Sequence, residues 1–185
     1  MQRSLFAFSL AAAVALLGVA AGAPAPAVAA TAPVNVAIVT NLGTIEVVLD
    51  PVHAPVTTKN FLKLVDAKFY TGGTFFRAIP GFVIQGGNKS KETDNDKTIP
   101  LEAPLKTGVL NVDGAIAMAR TNDPNSATSE FFIDDGAQPR LDSMGYAAFG
   151  HVTKNMELVR KIARGPVDGD QLVTPVKILR IERLP

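Results

Sequence analysis

Apolar and polar residues alternate along much of the chain beyond residue 33. Val34–Thr40 (V-N-V-A-I-V-T) carries the period of two of a half-buried strand, and residues 44–50 (T-I-E-V-V-L-D) repeat it. Asn41-Leu42-Gly43 lies between them, so the pair reads as a hairpin. Residues 51–55, bounded by two prolines, break the strand. A helix follows, with Thr57 or Thr58 near its start and Phe61, Leu64 and Val65 at spacings of three and four; Thr71-Gly72-Gly73 ends it. Residues 75–87 (F-F-R-A-I-P-G-F-V-I-Q-G-G) return to a strand pattern divided by a Pro80-Gly81 corner. Residues 89–107 are polar and read as a surface loop around a short extended piece at residues 99–101. Residues 115–119 and 131–133 read as short buried strands on either side of a polar loop, residues 120–130. A strand at residues 147–152, a short helix carrying Met156, Val159, Lys161 and Ile162, and a last strand at residues 176–184 complete the chain. Many short strands, two helices and no strand–helix–strand alternation argue for an antiparallel barrel.

A length of 185 residues accommodates one domain with a real core, and no linker or internal repeat divides it. Eighteen basic and seventeen acidic side chains give a formal charge of +1, which supplies no electrostatic reason to bind nucleic acid or an anionic membrane. The N-terminus stands apart. Arg3 precedes an apolar run from Leu5 to about Ala21, and a small-residue stretch follows it. Ala27-Val28-Ala29 fits the small-x-small cleavage rule, so residues 1–29 read as a signal peptide and the mature domain as 30–185, with a cut before Thr31 as the near alternative. An uncleaved anchor or a buried helix is the competing reading of a run near the short limit for spanning. Cleavage removes Arg3 and brings the formal charge to 0. The chain has no cysteine, which rules out disulfide staples and a lipid anchor on an N-terminal cysteine.

Several chemistries fail on residue inventory. The histidines are His53 and His151, and Ser126 and Ser129 sit in a polar loop without a Gly-x-Ser-x-Gly elbow, which argues against a hydrolytic triad. Two distant histidines and no cysteines provide no transition-metal ligand set. Asp94 and Asp96 lack the glycine and closing glutamate of a calcium loop. Gly72-Gly73 and Gly86-Gly87 lack the context of a phosphate loop, so no cofactor is expected. What remains is Arg77 and Gln85, each about three residues from the Pro80-Gly81 corner and brought together by it, beside Phe82. A cation and an amide over an apolar pocket suit the holding of a peptide carbonyl; an ordinary surface ion pair over a core phenylalanine is the plain alternative.

The second segment, A-M-A-R-T-N-D-P-N-S-A-T-S-E-F-F-I (residues 117–133), shifts that balance. F-x-R-x-I-P-G-F-x-I-Q-G-G followed by M-A-R-T-x-D-x-x-S-A-T-S-x-F-F-I resembles the cyclophilin family of peptidyl-prolyl cis-trans isomerases, and most of all its bacterial periplasmic branch. The likeness runs from the opening hairpin through Asn60-Phe61-Leu62-Lys63-Leu64 to Phe149-Gly150-His151-Val152 and the terminal strand. It implies a mainly β fold, a closed antiparallel eight-stranded β-barrel capped by two α-helices. It also implies an isomerase without cofactor or metal, acting on proline-containing exported proteins in the periplasm. The near-zero charge leaves no nucleic acid and no membrane expected as partner after signal cleavage, and a compact barrel without spare apolar stripes is most simply a monomer.

By the same resemblance Arg77 matches the arginine that acts near the prolyl nitrogen. Phe82, Val83, Phe132 and Leu141 match the walls of the proline pocket, with Val83 where methionine is common. Gln85 matches the glutamine that binds a substrate carbonyl, and Ala119, Arg120 and Thr121 match the strand edge that pairs with substrate backbone. Tyr146 falls where many relatives carry histidine. Phe76 and Arg140 depart from the family pattern, the latter removing an aromatic contact at the rim. Glu130 replaces a glutamine before Phe131 and is expected at the same pocket, either paired with Arg77 or turned to solvent. A proline-recognising module with little catalysis is the second functional reading.

Overall fold

Val36 and Ile38 of one strand, and Ile45, Val47 and Leu49 of the next, are wholly buried, and their alternation sets the register of the first hairpin. The computed structural model describes residues 32–92 and 97–185. The expected signal peptide, residues 1–29, and the pair Asp94 and Asp96 lie outside them. Strand β1 (Val34–Thr40) pairs antiparallel with β2 (Gly43–Leu49), Val36 opposite Val47 and Ile38 opposite Ile45. The turn is closed by the Thr40 hydroxyl, which donates to the Gly43 carbonyl at 2.7 Å and accepts the Leu42 N–H at 3.1 Å.

Helix α1 (Pro55–Asp66) begins on a proline, whose missing N–H costs nothing in the first turn. The next donors, the N–H groups of Val56 and Thr57, are taken by the distant Glu102 carboxylate at 3.0 and 2.8 Å, an acid at the positive end of the helix. The helix stops at Asp66, short of the glycines expected to end it, because Lys68 adopts a left-handed φ of 54°. The chain then buries Tyr70 beside Phe61, ring centroids 5.2 Å apart, with the Tyr70 hydroxyl donating to the Ser129 carbonyl at 2.9 Å. Burial pushes that phenol well above its ordinary pKa.

Strands β3 (Thr74–Ile79), β4 (Val83–Gly87), β5 (Ala115–Met118), β6 (Phe131–Asp134), β7 (Ala148–Lys154) and β9 (Gln171–Arg183) complete a ring in the order β1-β2-β7-β5-β6-β4-β3-β9. Pairing of β1 with β9 closes it, so the barrel has eight strands, all antiparallel. Closure removes the exposed edges that an open sheet would present. A two-residue strand, β8 (Val167–Asp168), folds onto β9 outside the ring as a small hairpin with Gly169 at its turn.

Two helices were expected, and four α-helices are present among the described residues. Besides α1 and α4 (Met156–Ala163), short helices α2 (Pro104–Thr107) and α3 (Pro139–Met144) lie in segments too brief to show a 3.6-residue period. Their ends are nevertheless marked, since each opens on proline and closes at a left-handed glycine, Gly108 and Gly145.

The barrel interior holds Phe61, Phe75, Phe131 and Phe149 among its aliphatic residues, with Phe131 edge-on to both Phe61 and Phe75. A second, smaller cluster forms on the outer face of the same strands: Val83, Ala117, Phe132, Leu141 and Ala148. The pleat separates the two, for Ile84, Phe131 and Ile133 face in while Val83 and Phe132 face out. That outer cluster is the floor of the site.

Candidate active site

Phe75 is buried in the barrel, so a strict period of two would turn Phe76 outward and Arg77 back into the core. The pairing of β3 shifts between Phe75 and Arg77 against both neighbours, β4 and β9. The extra residue re-aims Arg77 to the outside, level with Gln85, and restores Ala78 to the interior, where it is 1% exposed. A bulge thus resolves the oddity of an arginine set into a strand pattern.

The corner between β3 and β4 is a type II turn in outline. Pro80 precedes Gly81, Gly81 has φ of 70°, and the Phe82 N–H returns to the Ile79 carbonyl at 3.0 Å. Asp135 holds the Gly81 N–H at 2.9 Å, and Gln138 donates its amide to the Gly81 carbonyl at 3.0 Å. Phe82 is thereby fixed beside the outer cluster.

Together these elements enclose an open cleft of about 540 Å³. Its floor is Val83, Phe132 and Leu141, all less than 7% exposed, with Phe82 and Tyr146 half-buried at the sides. The Phe132 and Tyr146 rings meet edge-on at 5.8 Å. Leu141 and Tyr146 are set by a buried polar clasp. Asp142 accepts from the Asn111 N–H and side-chain amide, each at 2.7 Å, and the same amide reaches the Tyr146 carbonyl at 3.1 Å.

Arg77, Gln85, Ala119 and Arg120 also line the cleft, so every residue expected at the site is there except Thr121 and Glu130. Thr121 stands just beyond the wall, its N–H and hydroxyl both engaged with the Ser126 hydroxyl. His53, held by Asp50 at 2.7 Å, and His151 are exposed residues outside the cleft lining.

Glu130 makes neither of the arrangements expected of it. The Gln85 amide donates to Glu130 at 2.7 Å, and the Arg77 Nη1 donates to the Gln85 oxygen at 3.3 Å, so the glutamine stands between acid and cation. The acid on the guanidinium is Asp170, which accepts from Arg77 Nε at 2.6 Å. This bond holds the Asp170 carboxyl below the usual carboxylate range, with a further donation from Gln171. The Arg77 Nη2 makes no hydrogen bond to the described residues.

Asp170 was not foreseen. It follows the Asp168-Gly169 turn, a hairpin signal in plain sight, but nothing in the chain announces that β9 brings Gln171 opposite Arg77. Gln138, which precedes α3, and Met144, which ends it, were also unforeseen at the cleft, since the helix is so short.

Behind the floor, Asp134 is wholly buried, and neither carboxylate oxygen has a partner among the described residues. Its pKa is pushed up to about 8, chiefly by burial and then by the charges of Asp142 and Asp113.

The family model for cyclophilin type peptidyl-prolyl cis-trans isomerases matches residues 35–183. The peptidyl-prolyl cis-trans isomerase A of Dickeya dadantii is 42% identical over 139 residues, covering 72% of this chain and 73% of its own. A peptidyl-prolyl cis-trans isomerase of Acinetobacter baylyi is 39% identical over 153 residues, covering 77% and 81%. Among solved structures, a cyclophilin type isomerase of Cryptosporidium parvum superposes with a TM-score of 0.75 at 26% identity, over 83% of this chain and 99% of that one. The barrel with its outer apolar cleft is the architecture of a peptidyl-prolyl isomerase. The chain belongs to the cyclophilin family, whose members act on proline-containing peptides.

Proposed function

We propose that the protein is an exported cyclophilin of the bacterial periplasmic branch. Residues 1–29 direct export and are removed, and the domain of residues 30–185 accelerates X–Pro rotation in exported chains as they fold, acting as a monomer. The motif set and the bacterial relatives support this reading. Mass spectrometry of the protein recovered from a bacterial periplasm should give an N-terminus at Ala30 or Thr31; an intact Met1 in a membrane fraction would contradict it.

Rotation about X–Pro faces a barrier of about 18–20 kcal/mol set by amide resonance. No bond is broken, so no nucleophile or proton acceptor is required. A catalyst must bind the twisted amide better than either planar form. As the bond twists, the lone pair localises on the prolyl nitrogen and becomes a hydrogen-bond acceptor. The Arg77 guanidinium donates to it there, and this stabilises the transition state without stabilising the planar amides. Phe82, Val83, Phe132, Leu141 and Tyr146 seat the proline ring, Gln85 holds a substrate carbonyl, and residues 119–121 align the preceding backbone. Glu130 acts one step back by orienting the Gln85 amide.

The observation that carries this mechanism is the state of Arg77. Asp170 and Gln85 engage Nε and Nη1, which fixes the guanidinium plane, and Nη2 has no partner among the described residues at the edge of an apolar floor. A protease-coupled assay with an Ala-Pro peptide tests it. The protein at far below substrate concentration is expected to speed the slow cis phase. Saturable binding without acceleration would instead support a proline-recognising module.

A further inference from the structure

Three guanidinium groups, those of Arg77, Arg120 and Arg140, reach the wall of the cleft, and no carboxylate of the described residues lines it. Their charges are not equally answered. Arg77 is offset by Asp170 at 2.6 Å. Arg120 donates to the carbonyls of Gly145 (3.2 Å), Thr121 (2.7 Å) and Met144 and lies 4.4 Å over the Tyr146 ring. Carbonyl dipoles and an aromatic face fix its position but do not neutralise it. Arg140, exposed in the first turn of α3, makes no hydrogen bond or ion pair with the described residues.

Nearby acids are occupied elsewhere. Asp142, two residues beyond Arg140, is buried on Asn111. Asp113 and Asp135 both face Arg160, at 2.7 and 3.7 Å. Asp123 accepts the Asn125 N–H, and Glu130 sits behind Gln85. In a chain of formal charge +1, two cations unanswered among the described residues flank the apolar cleft proposed to seat a proline ring. A concave site with apolar walls concentrates such a field, favouring ligands of opposite charge and disfavouring like charge.

We infer that the site selects proline segments carrying an aspartate or glutamate within two residues of the proline, with Arg140 as the specificity-determining residue and Arg120 reinforcing it. The inference rests on the isomerase reading and names its preferred substrate class. Two residues of extended peptide span about 7 Å, which brings such a carboxylate within reach of an arginine rooted next to Leu141. Arg140 has no hydrogen-bond or ion-pair partner among the described residues, so its charge is available to a substrate.

Exchange NMR on three peptides tests this, identical except for Glu, Gln or Lys placed beside the Ala-Pro unit, first before it and then after it. Turnover should rank Glu over Gln over Lys at one of the two placements, with each step roughly twofold to fivefold. The ranking should shrink toward equality near 1 M salt, where the screening length is about 3 Å. Arg140→Gln should compress the Glu:Lys ratio and Arg140→Lys should keep it. The ratio is read within each variant, so a general loss of folded protein cancels. Equal acceleration of all peptides by the wild-type protein, or an unchanged ratio in Arg140→Gln, overturns this inference alone. Acceleration of no peptide sinks the isomerase reading and this inference with it.

Discussion

Arg77→Ala is expected to lose about a hundredfold to a thousandfold in kcat while keeping KM for a short Ala-Pro peptide within a few-fold. The size follows from what removal of one preorganised donor to a developing lone pair costs elsewhere in catalysis. The split follows from where the binding comes from. In the proposed binding mode the proline ring is held by Phe82, Val83, Phe132 and Leu141, none of which depends on the guanidinium, so ground-state affinity should survive. Arg77→Lys should recover little, because an ammonium cannot serve Asp170, Gln85 and substrate from one rigid plane. Far-ultraviolet circular dichroism should be unchanged, since Arg77 lies outside the barrel. A change confined to a rise in KM would show that Arg77 binds substrate without favouring the twisted amide.

Asp134→Asn is expected to stabilise the fold, and more so as pH rises. Asp134 ionises near pH 8 in the native state against an ordinary carboxylate value of 3.8 in the unfolded chain. Below about pH 4 both states hold the proton and the residue is neutral with respect to stability. Between pH 4 and 8 the unfolded chain has released it and the native protein has not, so stability falls by about 1.4 kcal/mol per pH unit. At pH 7 this amounts to about 4 kcal/mol, as an order of magnitude. An asparagine is neutral throughout and removes the slope. Thermal unfolding from pH 4.5 to 8 should show the variant drawing ahead of wild type, by about 5–10 °C at neutral pH. Parallel curves at all pH values would show that the buried carboxylate is not the titrating group.

These two residues also mark what the chain discloses. Arg77 was placed at the cleft by the Pro80-Gly81 corner and the motif, against the alternation, whereas Gln85 and Phe132 could be brought there by motif and alternation because each sits on a strand whose inward neighbours are unmistakably apolar. The barrel, the first hairpin and helices α1 and α4 were legible for the same reason. Asp134 was not, since nothing local distinguishes an acid after Phe131-Phe132-Ile133 that continues the strand on the covered outer face beside Val83 from one that begins a loop. Its strand partner β4 and the charges of Asp142 and Asp113, which raise its pKa further, come from other parts of the chain. Asp170 escaped notice because its pairing spans 93 residues. The expected link from Glu130 to Arg77 identified the right neighbourhood, but a side-chain amide of one strand stands between them. The bulge that turns Arg77 outward has no signature in its own residues; it follows from the register that β4 and β9 impose.

The central claim is that Arg77 lowers the rotation barrier of a proline already seated in the cleft. Exchange NMR on an isotope-labelled Ala-Pro peptide, saturated with wild-type protein and then with Arg77→Ala, measures rotation within the bound complex and so separates binding from catalysis. Fast cis–trans exchange of the bound peptide on the wild type, and exchange near the free-peptide rate on the variant, is the expected result. Bound exchange as fast on Arg77→Ala as on wild type would contradict it.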